Sequence, residues 1–148
     1  MKILMVCLGN ICRSPLAEGL LRAKLPSYIT VDSAGIIAMH QGEHPDPRSI
    51  KIAAMHGIDI SKQCSRPIQS SDLEEFDRIY CMDFKNLKAV KAMDKDASQH
   101  HKISLILEVL NDKDKLEVPD PYWGNLEDFE KVYQLLDKAC NLIANEIL

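Results

Sequence analysis

Two short stretches carry side chains that can do chemistry together. The first is "VCLGNICRSP", residues 6–15, in which Cys7 and Arg13 frame a five-residue loop after the apolar run "KILMV". A loop that leaves a buried strand and enters a helix aims successive backbone N–H groups, and the helix's positive end, at one point. That makes a cradle for a tetrahedral oxyanion. Gly9 lets the chain approach closely, and Asn10 tolerates the left-handed torsions such a curl needs. Leu8, Gly9, Asn10, Ile11, Cys12, Arg13 and Ser14 are therefore the expected phosphate-binding set, with Arg13 adding fork-shaped donors matched to phosphate oxygens. Cys7 falls at the floor of the cradle. There its pKa is expected to drop from ~8.5 toward the range of roughly 3.5–7.5 seen for activated thiols. A thiolate beneath a bound phosphate is placed for in-line attack on phosphorus, and the surrounding donors stabilise the spread charge of the transition state.

The second stretch is "VPDPYWG", residues 118–124. A departing alkoxide or phenoxide needs a proton, and Asp120, on a proline-stiffened loop, is the expected general acid. Neighbouring aromatics are expected to desolvate it partly and hold it protonated. The same carboxylate can then activate water against a thiophosphate intermediate. Tyr122 and Trp123, beside the acid, suit the wall of a phenyl ring better than ordinary packing.

Both stretches need elements to position them. "KILMVC" reads as a buried strand, and Leu16, Ala17, Leu20 and Leu21 recur at helical spacing after Pro15. Ser14 is the expected N-cap of that helix and Pro15 its first residue. "YITVDSAG", residues 28–35, reads as a second strand, and residues 36–47 as a long surface loop. "PRSIKIAAMHG" is a helix begun near Pro47 and stopped at Gly57. "SDLEEF" is a short helix before a third strand, "DRIYCMD", residues 77–83. A charged helix follows from Phe84 to about Lys95, then a short strand at 103–106. From Asn125, the expected cap, apolar residues three or four apart give a closing amphipathic helix. Strands alternating with helices imply a parallel sheet covered on both faces, with ligands at the carboxyl ends of the strands. Cys7, Ser33, Asp83 and the Asp120 loop can all reach that edge. Asp83, at a strand end, reads equally as a helix cap or as a strut behind the site.

Composition bounds the alternatives. The 148 residues suit one domain spanning 1–148, with 46 % apolar and 27 % charged residues. A net charge of −4 gives no support for a nucleic-acid or acidic-membrane surface, so any anion site must be local. The N-terminus has no signal-peptide pattern, and no stretch approaches the ~18 apolar residues of a membrane span. Five cysteines without paired spacing fit a reducing cytoplasm. The histidines lack ligand spacing, so no metal is expected. Cys64, Cys81 and Cys140 read as small apolar residues, the latter two on buried faces.

C-x5-R alone is a weak signal. Its strand, Gly-Asn and Ser-Pro context makes it specific, and further blocks follow in order: "VDSAG", "HPDPRS", "HGIDIS", "FDRIYCMD" and "VPDPYWG". Over nearly the whole chain this resembles the low-molecular-weight protein tyrosine phosphatases. The resemblance implies a flavodoxin-like α/β/α fold around a four-stranded parallel sheet, and hydrolysis of protein phosphotyrosine and aryl phosphates without cofactor or metal. At matching positions it implies Cys7 as nucleophile, Arg13 as phosphate-binding arginine and Asp120 as proton donor. It further implies that the Ser14 hydroxyl bonds the thiolate, that Asn10 and Ser33 are polar struts, and that Cys12 forms a reversible disulfide with Cys7. The implied partner is a phosphotyrosine-bearing protein, a bacterial tyrosine kinase being one choice beside a signalling protein or a small phosphoester. A cytoplasmic monomer or weak dimer is expected.

Departures from the family pattern bear on substrate preference. Gln63 stands where many members have a histidine in the strut network, and its amide can supply hydrogen bonds but not titrate. Ile36 and Met39 replace a polar and an aromatic residue of the cleft-side loop. Trp123 replaces a frequent tyrosine. Ile11 stands where a branch acting on phosphoarginine carries threonine, which favours phosphotyrosine. The cleft set is thus Ile11, Met39, Tyr122 and Trp123. Two rival functions follow from the same residues. A thiol-dependent arsenate reductase on this scaffold would need a relay, but Lys88 stands where a partner cysteine belongs and none closely follows Cys81. A phosphotyrosine-binding module without catalysis would have no use for Asp120.

Overall fold

"KILMVC" forms strand β1, Lys2–Cys7, whose side chains alternate between two apolar clusters. Ile3, Met5 and Cys7 enter one cluster, Leu4 and Val6 the other. A strand apolar on both faces needs a covering layer on each and so belongs at the centre of a sheet. In the computed structural model, which describes residues 1–148, β1 lies between β2, Thr30–Gly35, and β3, Arg78–Cys81. β4, Ile103–Leu105, extends the sheet beyond β3, all pairs are parallel, and the strand order is β2-β1-β3-β4.

Three helices cover one face: α1, Arg13–Lys24; α2, Pro47–Met55; and, closing the chain, α5, Leu126–Ile147. They complete the larger apolar cluster with Leu16, Leu20, Ile52, Phe129 and Leu136. On the opposite face, α3, Ser70–Glu75, and α4, Phe84–Met93, contribute Leu73 and Val90 to the smaller cluster. This is the three-layer, flavodoxin-like arrangement. The chain leaves β1 toward β2 on one side while β3 lies on the other, so a crevice opens at the carboxyl end of β1.

Element boundaries differ from expectation in a few places. The first helix begins at Arg13, not Pro15, and its N-cap is Cys12, whose side chain makes no capping bond. Ser14 does not cap because its hydroxyl is used at Cys7 instead. The second strand starts at Thr30, with Tyr28 in an exposed turn. The third keeps only residues 78–81, and the fourth gives way at Ile106 to a 3-10 turn ending at Leu110. The last helix is capped by Asn125, whose side chain accepts from the Asp128 amide while Asp128 accepts from that of Asn125.

Candidate active site

Cys7 is the last residue of β1, and the loop after it curls back through Asn10, which sits at φ 58° in the left-handed region. The curl turns the Asn10 amide toward Cys7, so that its N–H donates to Sγ at 3.3 Å. The loop lies against the end of β2, where Gly35 leaves it room. A β-carbon there would stand 3.0 Å from the backbone of both Leu8 and Gly9. The Ser65 hydroxyl donates to Gly9 O, and the Ile36 and Ile37 amides donate to the carbonyls of Cys7 and Leu8.

Counting donors fixes the direction of the hydrogen bonds behind the loop. Asn10 Oδ1 accepts from the Arg66 amide, so the side-chain amide is oriented with Nδ2 toward Ser14 and Ser33, at 2.8 and 2.9 Å. Ser33 spends its one hydroxyl hydrogen on Glu18 Oε1, 2.6 Å away. Ser14 Oγ accepts from Asn10 and keeps its own hydrogen for Cys7 Sγ at 3.0 Å. Both partners of the sulfur then donate to it.

Arg13 is buried at the start of α1. Its Nη1 donates to Asp83 Oδ2 at 2.8 Å and to Val118 O at 3.0 Å, while Nη2 lies 3.7 Å from Asp120 Oδ2. Burial works against the Arg13 charge, but the nearby Cys7, Asp83 and Asp120 outweigh it and raise the guanidinium pKa. Asp83 bonds in two directions. Its Oδ1 caps α4 by accepting from the Asn86 amide, and its Oδ2 holds Arg13. Cys12 lies buried beside Asp46, and burial followed by that carboxylate pushes its thiol well above the ordinary range. Cys7 and Cys12 are both unpaired thiols.

A cleft of ≈ 340 Å³ opens over Cys7 and is walled by Leu8, Gly9, Ile11, Cys12, Arg13, Ile37, Met39, His40, Asp120, Tyr122 and Trp123. The four cleft residues taken from the sequence thus share one wall system. Ile36 does not line it, and Ile37 and His40 do. A larger groove of ≈ 1030 Å³ runs between residues 113–119 and α5, and none of its lining residues belongs to the cradle.

Two expectations are overturned. Asp120 is not desolvated by its aromatic neighbours: its side chain is 45 % exposed, and Trp123 stands 93 % exposed, edge-on to Tyr122. The turn from Pro121 to Gly124, closed by the Gly124 amide on Pro121 O, leaves both aromatics at the surface. Gln63 does not replace a strut either. Its Nε2 donates to Pro15 O at 3.2 Å and its buried Oε1 has no partner, while Ser33 bonds Glu18 directly. Glu18, 4 % exposed, was not anticipated from the sequence. Its position one helical turn after Ser14, on the same face, was the available signal. Cys81 is buried among apolar residues, and burial pushes its thiol up to about 12. No group of three or more histidine, cysteine or carboxylate side chains is arranged to hold a metal ion, and no helix is long and apolar enough to cross a membrane.

Residues 2–148 match the family model described as low molecular weight phosphotyrosine protein phosphatase. The low molecular weight protein-tyrosine-phosphatase YfkJ of Bacillus subtilis is 38 % identical over 151 residues, covering 98 % of this chain and 94 % of that protein. Among solved structures, the protein tyrosine phosphatase of Entamoeba histolytica, with Hepes in its active site, superposes with a TM-score of 0.92 at 34 % identity, covering 99 % of this chain and 96 % of that one. Wzb of Vibrio vulnificus, in complex with benzylphosphonate, gives 0.89 at 33 % identity, over 98 % and 97 % of the two chains. Matched from end to end by sequence and by fold, the chain belongs to the low molecular weight phosphotyrosine protein phosphatase family and is an enzyme with phosphatase activity.

Proposed function

We propose that residues 1–148 act as one domain that hydrolyses protein phosphotyrosine through a cysteinyl-phosphate intermediate. The observation that carries this reading is the convergence of three groups on one cleft: Cys7 Sγ with two donors aimed at it, the Arg13 guanidinium, and the Asp120 carboxyl. In the first step the thiolate forms an S–P bond as the P–O bond to the tyrosine breaks, and Asp120 gives its proton to the leaving phenolate. In the second, Asp120 takes a proton from water, whose oxygen attacks phosphorus while the S–P electrons return to sulfur. Loop amides and Arg13 hold the equatorial oxygens throughout. The exposure of Asp120 in the open cleft suits this alternation, since a bound aromatic ring between Tyr122, Trp123 and Met39 would itself exclude water from the acid.

Benzylphosphonate in the Vibrio protein supports an aromatic phosphoester as the substrate class. The partner is then a protein presenting phosphotyrosine, with a bacterial tyrosine kinase as the first to test. Cys12 is the proposed partner of Cys7 in a protective disulfide, two thiols yielding two electrons and two protons to a peroxide. Cys7→Ser should abolish turnover of phosphotyrosine while inorganic phosphate still binds, as measured by initial rates and calorimetry. Appreciable residual turnover would remove Cys7 from the nucleophile's role.

A further inference from the structure

Arg48, in the first turn of α2, is far from Cys7 in sequence and makes none of the contacts assigned above, yet four of its five N–H groups are committed. Its Nε and Nη2 grip Asp46 Oδ1 and Oδ2 at 3.0 and 2.9 Å. The remaining bonds go to the loop that carries Asp120: Nη2 donates to Tyr122 O and Nη1 to Gly124 O, each at 2.9 Å. The guanidinium lies 4.3 Å over the Phe129 ring of α5. Asp46 in turn is tied to the cradle, its amide donating to Ile11 O at 2.8 Å.

We infer that Arg48 is a positioning residue that sets the height of Asp120 over Cys7. The acid loop is anchored on both sides of Asp120: before it Val118 donates its N–H to Met82 O and accepts from Arg13, and after it the carbonyls of Tyr122 and Gly124 accept from Arg48. Between them Asp120 accepts a bond from the Tyr122 amide at 3.1 Å and lies 3.7 Å from Arg13 Nη2. The loop is exposed and has no ladder of its own, so its distance from the sulfur is decided by the anchors. A planar fork is required. It meets a carboxylate on one edge and two carbonyls on another, while a lysine's single ammonium cannot do both. This inference rests on Asp120 being the acid and adds what holds it in place.

The test compares phenyl phosphate, whose leaving phenol has a pKa of ~10 and needs a proton, with 2,4-dinitrophenyl phosphate, which does not. Arg48→Met should lower kcat/KM, which reports only the steps up to departure of the phenol, by about tenfold to a hundredfold on phenyl phosphate, the cost of a misplaced group, and leave kcat/KM for the dinitrophenyl ester near wild type. Arg48→Lys should behave the same way despite its charge, and serves as the second variant if the first folds poorly. In Asp120→Asn the Arg48 change should add little, because the group it positions is gone. Equal losses on both substrates, or full additivity with Asp120→Asn, overturn the inference while the acid assignment stands. Asp120→Asn failing to discriminate between the substrates overturns the acid assignment, and the clamp with it.

Discussion

At the residue scale, the hydrogen bonds behind Cys7 run one way because each hydroxyl has a single hydrogen to give. Glu18 ends the chain as an acceptor only while it stays where it is, buried between Ser33 and the exposed Arg22. Burial raises its pKa above the ordinary 4.5, against the opposing pull of Ser33 and Arg22. An acid with a raised pKa in the folded state binds more protons folded than unfolded. Its contribution to stability is therefore complete below pH 4.5 and is lost as pH rises through the raised value. Glu18→Gln keeps an acceptor for Ser33 and removes the titration. Urea denaturation across pH should then show the variant gaining on the wild type as pH climbs above 4.5. A difference that stays constant across that interval would mean that burial of Glu18 carries no such cost.

At the element scale, α1 does two jobs: its first turn carries Arg13 and Ser14, and its middle packs against the segment after α2. Gly19 makes the second contact possible. A β-carbon there would meet Ile60 Cγ2 at 2.5 Å and Ile58 Cγ2 at 3.2 Å. Alanine is worth about 1 kcal/mol more than glycine inside a helix, while overpacking a tight core costs about 1–3 kcal/mol. Ile60 is buried and stiff at its branch, so it cannot step aside cheaply. The packing term should win. Gly19→Ala is expected to lose about 1 kcal/mol in chemical denaturation, and a gain in stability would mean that the helix shifts freely over Ile60. Because Ser14 and Arg13 ride on the same helix, any loss should be accompanied by a weaker grip on phosphate.

At the scale of the whole molecule, the two apolar clusters on opposite faces of the sheet hold β1 rigid from both sides, and its carboxyl end is where Cys7 stands. α5 is the larger part of one cover, with Phe129, Val132, Leu136, Cys140 and Ile143 buried along one stripe. Leu136→Ala should cost about 2–5 kcal/mol through lost burial and the cavity left behind. A lower urea midpoint with unchanged slope would report it, and a much smaller loss would mean that α5 settles into the gap. Activity per folded molecule should hold, since the cradle's own bonds do not pass through Leu136.

What the sequence determined by itself was what local chemistry encodes. Alternation and helical spacing named nearly every element, and Asn125 announced its own cap, because periodicity and capping act over a few residues. The cradle was legible for the same reason: Cys7, Gly9, Asn10, Arg13 and Ser14 are neighbours in the chain, so their spacing carries their geometry. Tertiary structure alone decided what distant residues do. Ser14 turned out to serve the sulfur and not the helix end, Gln63 was left outside the strut network, and Asp120 stayed in solvent despite its aromatic neighbours. Glu18 met Ser33 across 15 positions, and Arg48 reached the acid loop across 74 and 76. Such contacts depend on how the helices seat on the sheet, and that is settled by packing over the whole chain, not by any window of it.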